Sequence, residues 1–529
     1  RDIDCPRTSD LRNLRDIIIG ITKLELSGKM KEAFNFFSSV TQKAYSSIYL
    51  MSNTVLSKNP SASNFLDNFL KTGKVCNQNM FTVIAKLPIY YLKSFIYFFV
   101  YLLFFLAFRL SGLRYLINPS LKALVIIDTF LLVNKIKENN KFEDSYFVGL
   151  REILDDLGKH YSYLPVFCTT INPLRMLEIF KVLKRDNEPV LTEYQLLSHM
   201  DLLRILNFIL FYPLKLMMFI KKMTDDTDPS KLLRAELADS LKCVSFFNFS
   251  RYLQGRRIAR LPYEKIKVIS WFENQTIDKN LYKGLREGGH KIEIYGAQPF
   301  LFQGTELNVF TDENEARFGI VPDKIIVNSA YFIPKSSALH FIAGPSFRYK
   351  RVFTTKVDPC RGNYILVLLP YYEGEAVNIL RLLSGINAAG RNIMVKAHSV
   401  ICPDKIKGFL PAGAKISDDD LYELFKTASM VIGTASGALI ESASVGVPVI
   451  YVKHISGINY FPMPDFGKGI IWDEAGSSME IEKLIMKFEE ALKGIKESNR
   501  IKKVADEYKA MFYCEPSREN IIKTYDLAC

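Results

Sequence analysis

The chain has 529 residues, of which 48% are hydrophobic and 13% aromatic, and its formal net charge is +13. This composition excludes a disordered chain, and the length allows two or three domains. The positive charge indicates an anionic partner, but no RNA-binding signature is present, so a phosphorylated substrate or an acidic membrane surface is favoured over nucleic acid.

The spacing of cysteine and histidine gives no indication of a metal site. The eight cysteines include no C-x-x-C pair, and the six histidines form no H-E-x-x-H pattern. Scattered thiols favour a reducing compartment. The acidic run Asp418–Asp420 precedes a helical pattern and complements the dipole of that helix. Neither a metal nor a resident cofactor is therefore predicted.

Residues 1–120 carry helical patterns and are expected to form an N-terminal helical region. Its centre, Ser94–Phe108, has no charged residue and would form a helix of about 22 Å, shorter than the roughly 30 Å hydrocarbon core of a bilayer. Lysine, arginine and tyrosine residues flank it, which favours a helix lying in the membrane interface. A buried core hairpin and a true membrane span are the alternatives.

A second apolar segment, Leu203–Met223, ends in lysines and could form a lid or another membrane-facing helix. Two such segments and the basic charge predict monotopic attachment to an anionic membrane, at the cytoplasmic face of an inner membrane.

Residues 121–350 are expected to form a Rossmann-like domain with a helical insertion, because short apolar runs alternate with helical patterns. The predicted strands are Ala123–Ile127, Tyr163–Cys168, Lys265–Trp271, Lys291–Tyr295 and Asp323–Asn328. Residues 351–498 repeat this alternation as a second Rossmann-like domain. Its predicted strands are Tyr364–Leu369, Asn392–Ala397, Met430–Gly433 and Val449–Val452. Residues 499–529 contain a terminal helix over Asn499–Tyr513.

In open α/β sheets, ligands bind beyond the carboxyl ends of the strands. The acidic groups and the histidine that follow predicted strands are Asp128, Glu273, Glu373, Glu375 and His398. Two Rossmann-like halves that face each other would bring these groups to one cleft.

The turn after the strand Met430–Gly433 is the strongest local signal. Its small residues, Thr434 to Gly437, offer backbone N–H groups, two hydroxyls and the positive end of a helix, which together suit a phosphate. Glu441, one turn into that helix, could accept hydrogen bonds from a ribose diol. An ordinary βαβ turn without a ligand is the alternative.

Three motifs follow strands of the second half in order: Tyr372-Glu373-Gly374-Glu375, Lys396-Ala397-His398-Ser399 and Gly433-Thr434-Ala435-Ser436-Gly437. This series resembles the acidic-x-Gly, His-Pro and Ser/Thr motifs of bacterial GT-B glycosyltransferases that use cytidine-nucleotide donors, among them capsule Kdo transferases, polysialyltransferases and teichoic acid polymerases. The turn and helix are also similar to those of the related UDP-sugar epimerases. Here Ser399 replaces the proline.

The resemblance implies a GT-B fold, with two Rossmann-like domains facing a cleft and a terminal helix that crosses back to the first domain. It implies that His398 contacts the donor phosphate and assists its departure, and that Glu373 or Glu375 serves as base or binds the sugar. The donor-binding residues that it implies are Glu373, Gly374, Lys396, His398, Thr434, Ser436, Gly437 and Glu441.

In the first half, the stretch Trp271–Gln275 and the stretch Ile294–Gln298 resemble strand ends of bacterial surface-polysaccharide biosynthesis proteins. Glu273 is the first candidate for a catalytic carboxylate, with Asp128 as its rival, because attack by a sugar hydroxyl requires removal of a proton. The residues expected to face the acceptor or the sugar are Asn274, Gln275, Lys279, Tyr295 and Gln298. A salt bridge between Glu273 and Lys279, and a buried hydrogen-bonded His398, are the structural alternatives.

The leading hypothesis is a metal-independent, membrane-associated GT-B glycosyltransferase of capsule, O-antigen or lipopolysaccharide synthesis. It would transfer an acidic sugar such as Kdo from a CMP donor to a saccharide or lipid-linked acceptor. The alternatives are a transferase using a UDP- or GDP-hexose or CDP-glycerol donor, a non-catalytic scaffolding subunit, and a sugar-nucleotide epimerase.

Overall fold

The structure is a computed structural model. It describes residues 80–118, 120–168, 172–222, 234, 238, 240–243, 245–288, 292–301, 311, 313–334, 337–358, 362, 364–370, 373–386, 391–398, 401–434, 436–454 and 463–528. Residues 1–79 of the predicted N-terminal helical region therefore lie outside the described residues, whereas its apolar centre lies within them.

The first half is built on a parallel six-stranded sheet with the order β2-β1-β3-β4-β5-β6. The strands are β1 (Ala123–Leu132), β2 (Tyr161–Cys168), β3 (Lys265–Trp271), β4 (Ile292–Ala297), β5 (Lys324–Val327) and β6 (Phe341–Ala343). Hydrophobic clusters cover both faces of this sheet, as the near-continuous apolar strands require. Strand order reverses between β1 and β3, which makes the carboxyl ends of these two strands the expected ligand position.

Helices surround this sheet in chain order. They are α1 (Met80–Ser111), α2 (Val133–Asn139), α3 (Leu150–Asp156), α4 (Pro173–Arg185), α5 (Glu193–Leu196), α6 (His199–Lys222), α7 (Ser245–Ile258), α8 (Thr276–Glu287) and α9 (Glu313–Arg317). Helix α4 begins where Asn172 accepts hydrogen bonds from two backbone N–H groups and a proline occupies the first turn. Helix α1 packs on α4 and α6, so the apolar centre of the N-terminal region is part of the first half.

The second half is a parallel six-stranded sheet with the order β12-β11-β10-β7-β8-β9. Its strands are β7 (Tyr364–Leu368), β8 (Ile393–Lys396), β9 (Lys415–Ile416), β10 (Ala428–Gly433), β11 (Val449–Val452) and β12 (Trp472–Ala475). If β7 is counted as strand 1 of this half and the sheet is read from β9, the order is 3-2-1-4-5-6, that of dinucleotide-binding Rossmann folds. The strand order reverses between β7 and β10. The prediction of two Rossmann-like domains is confirmed.

The helices of the second half are α10 (Lys350–Thr354), α11 (Glu373–Ser384), α12 (Leu421–Thr427), α13 (Gly437–Val445), α14 (Ser478–Lys493) and α15 (Ile495–Phe512). The end of α15 reaches the first half, where the Ser329 hydroxyl donates to the Met511 carbonyl at 2.6 Å. A final helix, α16 (Arg518–Thr524), then packs on the first sheet, and Lys267 Nζ donates to the Tyr525 carbonyl at 2.6 Å. These contacts tie the C-terminus to the first half.

Several element boundaries differ from the predictions. Strand β1 continues to Leu132 rather than ending at Ile127, because it stays paired with β2 up to Leu132 and Leu131 is buried. The helix predicted over Phe142–Leu157 is confined to α3. Strands β6 and β9 were not predicted, since segments of two or three residues carry too little periodicity to be recognised. Strand β12 was not predicted because two of its four residues, Asp473 and Glu474, are acidic.

Candidate active site between the two sheets

The turn after β10 lies at the strand-order reversal of the second sheet. Ser436 is the N-cap of α13, and its hydroxyl accepts from the backbone N–H of Ala438 at 3.3 Å. The Thr434 side chain is fully buried, and its hydroxyl has no hydrogen-bond partner among the described residues. An orphaned buried hydroxyl costs free energy unless a ligand completes its hydrogen bond. The positive end of the helix dipole and this hydroxyl together suit an anion.

Gly433 allows α13 to start this close to the sheet. A Cβ atom at this position would lie 2.9 Å from the Leu368 carbonyl oxygen and 3.0 Å from the Leu439 side chain. Any larger residue would push β10 away from β7 or push the helix outward. The glycine therefore allows this turn to lie over the carboxyl ends of the two central strands.

Glu441 lies one turn further along α13 and is engaged with Tyr422, whose hydroxyl donates to its carboxylate. Burial raises the pKa of Glu441, while the Tyr422 hydroxyl and the charge of Arg348 act in the opposite direction. The Tyr422 hydroxyl thus holds this carboxylate in place.

His398 follows β8 and retains solvent contact. Surrounding protein and, secondarily, the charge of Arg348 lower the pKa of His398 below its usual 6.5. At neutral pH the imidazole is uncharged and can donate one hydrogen bond to an anion.

Arg348, which the sequence analysis missed, links the two halves. It lies in the 3-10 turn Phe347–Tyr349 between the two sheets, and its guanidinium lies 4.4 Å from the ring centroid of Phe300, which follows β4. Its charge also acts on Tyr146 of the first half and on His398 and Glu441 of the second. An exposed arginine near all four residues marks a cleft that both halves line. In the sequence, only its position close to the predicted boundary between the two domains distinguishes Arg348 from other basic residues.

The first sheet contributes aromatic side chains and Glu273 to this cleft. Trp271, the last residue of β3, stacks on Tyr146 with ring centroids 4.5 Å apart and contacts Phe300 at 5.8 Å. Glu273 is half-buried two residues after the strand, and its charge acts on Tyr146 together with that of Arg348. Glu273 therefore lies at the strand-order reversal of the first sheet, near the arginine that reaches the second half.

The loop that carries Glu273 is rigid. Gln275 Nε2 donates to Glu273 Oε2 at 2.5 Å, and Asp278 accepts from the backbone N–H groups of Glu273 and Gln275 at 3.0 and 3.1 Å. Asn274, fully buried, adopts φ = +56°, a left-handed conformation that asparagine tolerates. Burial raises the pKa of Asp278 to about 7. Asn274 and Gln275 thus shape the loop, and Gln275 also orients the candidate carboxylate.

Asp128 is held inside the first half. It lies within β1, 3% exposed, where Arg251 Nη2 donates to Oδ1 at 2.6 Å and the Ser270 hydroxyl donates to Oδ2 at 2.7 Å. Both carboxylate oxygens are therefore engaged, and the strand end predicted at this residue is displaced to Leu132. A base in the cleft would have to break this ion pair, so Glu273 is the better-placed carboxylate.

Glu375 is likewise buried rather than displayed in the cleft. Its side chain is fully buried, and Oε1 lies 2.9 Å from His454 Nδ1. Glu373, at the start of α11, is exposed and paired with Lys405 at 2.8 Å, and Gly374 beside it has open space above its Cα. Of the two glutamates in this motif, Glu373 is the one that a ligand can reach.

Three further predicted residues have structural partners. Lys279 is 1% exposed and lies 3.4 Å from Glu315, itself buried, so the two side chains form a buried ion pair. Tyr295 lies inside β4, fully buried, and accepts from Lys324 at 2.9 Å. Lys396 Nζ donates to the Asp419 carbonyl at 2.5 Å. These contacts place Lys279 and Tyr295 in the packing of the first half.

Gln298 comes directly after β4, at the cleft edge of the first sheet. It is 8% exposed, and its backbone N–H donates to Ile326 O at 2.8 Å. Among the described residues no group of three or more His, Cys, Asp or Glu side chains is placed to hold a metal ion.

Comparison with known proteins gives similarity at the level of architecture. No family model matches this chain, and no curated protein matches it. The solved structures that it resembles include the calicheamicin glycosyltransferase CalG4 (11% identity, TM-score 0.41) and Acinetobacter baumannii MurG (13% identity, TM-score 0.39). They also include the UDP-GlcNAc 2-epimerase of Neisseria meningitidis bound to UDP-GlcNAc (10% identity, TM-score 0.41). Each match covers 77% of this chain and 98%, 99% and 100%, respectively, of the other chain.

Proposed function

We propose that this chain is a glycosyltransferase that binds a nucleotide-sugar donor on its second half and an acceptor on its first. One observation carries the proposal. The buried Thr434 hydroxyl, just before α13 at the strand-order reversal of a Rossmann-type sheet, has no hydrogen-bond partner among the described residues. Such a position binds the phosphate of a nucleotide in many α/β proteins.

The surrounding charges support an anionic donor. Arg348 supplies a cation, His398 a neutral N–H donor, and the N-terminus of α13 the positive end of a helix dipole. In the proposed complex these groups bind the phosphate through which the sugar is attached. Glu441, positioned by Tyr422, accepts hydrogen bonds from the ribose hydroxyls. Donors placed around a leaving phosphate stabilise the charge that develops on it.

The proposed reaction transfers the sugar from this phosphate to an acceptor hydroxyl. Glu273 removes the proton of the acceptor hydroxyl, and the oxygen of that hydroxyl forms the new bond to the anomeric carbon. The bond from that carbon to the phosphate oxygen breaks, and the electron pair leaves with the phosphate. His398 and Arg348 stabilise the departing phosphate. A positioned general base contributes about 10²- to 10⁴-fold to such a rate, so Glu273→Gln should lower transfer by this factor and leave nucleotide binding intact.

For the donor we propose a CMP-linked acidic sugar such as Kdo, used in the synthesis of a surface polysaccharide. The motif series around Glu373, His398 and Thr434 supports this choice. The test is differential scanning fluorimetry with CMP, CDP, UDP, GDP and ADP. A nucleotide at a hundred times its dissociation constant stabilises its protein by about 2.7 kcal/mol. Stabilisation by CMP alone supports the proposal, whereas selective stabilisation by UDP or GDP would show that the donor is linked to that nucleotide instead of CMP.

A matched pair of valine variants tests the binding position. Thr434→Val removes the orphaned hydroxyl and should abolish the nucleotide-induced shift without lowering the melting temperature of the free protein. Thr192 is also fully buried in the first half, with a hydroxyl that has no partner among the described residues, and Thr192→Val should leave the shift unchanged. An unchanged shift in Thr434→Val, or no response of the wild type to any nucleotide, would refute the donor site. The second outcome would favour a scaffolding role.

We also propose that the chain attaches to an anionic membrane through helices α1 and α6. The helices pack antiparallel: the Tyr91 hydroxyl donates to Leu210 O at 3.0 Å, and Arg109 lies 3.1 Å from His199. Large apolar side chains of both helices are exposed, including Phe99 and Leu106 of α1 and Phe211 and Met218 of α6. An exposed patch of this kind marks an interaction surface.

The charge and packing of α1 support a helix that lies on the bilayer. It contains lysine and arginine but no acidic residue, which suits an anionic lipid surface. Residues Val83–Ser111 are long and apolar enough to cross a membrane, but the core helix of a soluble protein can have the same length and composition. However, Tyr101 and Phe108 are buried against the first half, and the Tyr101 hydroxyl donates to Glu193 at 2.7 Å. These contacts support attachment by one face of the helix.

Vesicle co-sedimentation tests this attachment. Wild type should bind vesicles containing phosphatidylglycerol more tightly than vesicles of phosphatidylcholine alone, and added salt should weaken the binding. Phe99→Ser combined with Leu106→Ser should reduce it at least tenfold. Ile495→Ser, at an exposed apolar residue of the second half, is the matched control. Equal binding by the double variant and the control would exclude α1 as the attachment surface.

A further inference from the structure

A cavity of 470 Å³ lies between α1 and the carboxyl end of β2. Its walls are mainly apolar and include Tyr97, Val100 and Phe104 of α1, Val166 and Phe167 of β2, and Ile277 of α8. The volume falls within the range of ligand pockets, roughly 300–1,000 Å³. Its lining differs from that of the cleft, where charged groups and the α13 N-terminus dominate.

One wall of this cavity is polar. Arg251 is 4% exposed, donates to Asp128 and to Gln254 Oε1 at 3.1 Å, and its Nε has no hydrogen-bond partner among the described residues. Glu193 Oε2 accepts from the Tyr101 hydroxyl at 2.7 Å and from Gln254 at 2.9 Å. Because Asp128 neutralises Arg251, this wall offers a hydrogen-bond donor without a net positive charge. A chain that is mainly apolar and carries a neutral polar atom suits such a wall better than an anion does.

The cavity lies between the cleft edge of the first sheet and the exposed face of α1. Its β2 residues end at the same sheet edge as β3, and Ile277 follows the rigid Glu273–Gln275 loop by two residues. On the other side, α1 presents Val100 to the cavity and Phe99 to solvent. An aliphatic chain held here would start beside the apolar face of α1 and end near the candidate base.

We infer that this cavity binds the aliphatic chain of a lipid-linked acceptor and directs its head group towards Glu273. The inference rests on the proposed function, in which the first half holds the acceptor. Its physical basis is the hydrophobic gain of moving the chain into a preformed apolar cavity, about 0.8 kcal/mol for each buried methylene. The membrane-facing helix thereby serves substrate delivery as well as attachment.

The experiment measures binding of N-undecyl dansylamide, an uncharged aliphatic probe, to the full-length protein, without nucleotide and below the solubility limit of the probe. The dansyl emission of wild type should rise and saturate. Val166→Trp fills the cavity and Val100→Phe fills part of it, and each should raise the dissociation constant at least tenfold. Phe99→Ser changes the outer face of the same helix and should leave the dissociation constant within twofold. Far-UV circular dichroism and the melting temperature establish that each variant folds.

Absence of saturable binding by wild type, or equal affinity in Val166→Trp, Val100→Phe and wild type, would overturn the inference. Loss of binding in Phe99→Ser alone would locate the chain on the outer surface, and loss of binding as protein concentration rises would assign the region to a second copy of this chain. Nucleotide stabilisation is measured separately. A nucleotide response without binding of the aliphatic probe therefore refutes only the proposed role of the cavity. Binding of the probe without a nucleotide response refutes only the proposed transferase function.

Discussion

The buried pair of Lys279 and Glu315 provides a direct test of how the first half should be interpreted. The resemblance of the sequence to polysaccharide biosynthesis proteins implies that Lys279 contacts sugar, whereas the structure buries it against a carboxylate. The side chains are 1% and 3% exposed, and Nζ lies 3.4 Å from Oε1. A packing role and a sugar-binding role predict opposite results for Lys279→Met.

The magnitude follows from the geometry. Two unit charges 3.4 Å apart attract by about 5 kcal/mol at an effective dielectric constant of 20. Removing one member of a buried pair leaves the other charge without that compensation and typically costs about 3–5 kcal/mol. In a unit of 150–250 residues this corresponds to a loss of roughly 6–20 °C in the melting temperature. Lys279→Met should therefore melt far below wild type.

Scanning fluorimetry and urea unfolding measure this loss. The double variant Lys279→Met with Glu315→Leu should recover most of it, because two apolar side chains replace the pair without a buried charge. Lys283→Met is the control on the same helix. Its pair with Glu287, 3.3 Å apart, is partly exposed, and such pairs contribute at most about 1 kcal/mol.

A Lys279→Met variant that melts like the control and yet loses transfer activity would refute the packing role of Lys279. Lys279 would then bind sugar, as the resemblance implies, and its burial would have to be relieved when substrate binds. A large loss of stability that the double variant does not recover would also contradict the ion pair.

Three further predictions concern single residues. Burial raises the pKa of Asp278 to about 7 from 3.8 in the unfolded chain. Between these two pKa values the folded state binds more protons than the unfolded state, so the stability that Asp278 contributes is lost as pH rises towards 7. Asp278→Asn should therefore reduce the fall of the urea midpoint with rising pH over this interval. Gly433→Ala should cost about 1–3 kcal/mol by overpacking against Leu368 and should weaken the nucleotide response in scanning fluorimetry. Tyr525→Ala should destabilise the first half by about 3–5 kcal/mol in urea unfolding, because this fully buried side chain of the C-terminal segment packs in its core.

The two halves meet their substrates differently under the proposed function. The second half offers a polar position for a phosphate at Thr434 and the first turn of α13, and Arg348, at the end of the first half, adds a positive charge. The first half offers aromatic rings, Glu273 and an apolar cavity. This asymmetry suits a reaction in which one substrate is a water-soluble nucleotide and the other carries a lipid.

The sequence by itself determined the layered α/β architecture and most of the strands. Short apolar runs bounded by glycine and proline predict buried parallel strands wherever they are four or more residues long. The turn from Thr434 to Gly437 was also predictable, because a strand, small residues and a helix succeed one another within the same stretch of chain. Glu273 was placed near a strand end for the same local reason.

Only the tertiary structure decided which polar residues are available for chemistry. Asp128 pairs with Arg251 across 123 positions of sequence, Lys279 with Glu315, and Glu375 with His454. Arg348 gains its importance from the two halves that it approaches. A strand-end residue has the same local sequence whether it faces a cleft or a buried partner, and long-range packing alone determines which of these it faces.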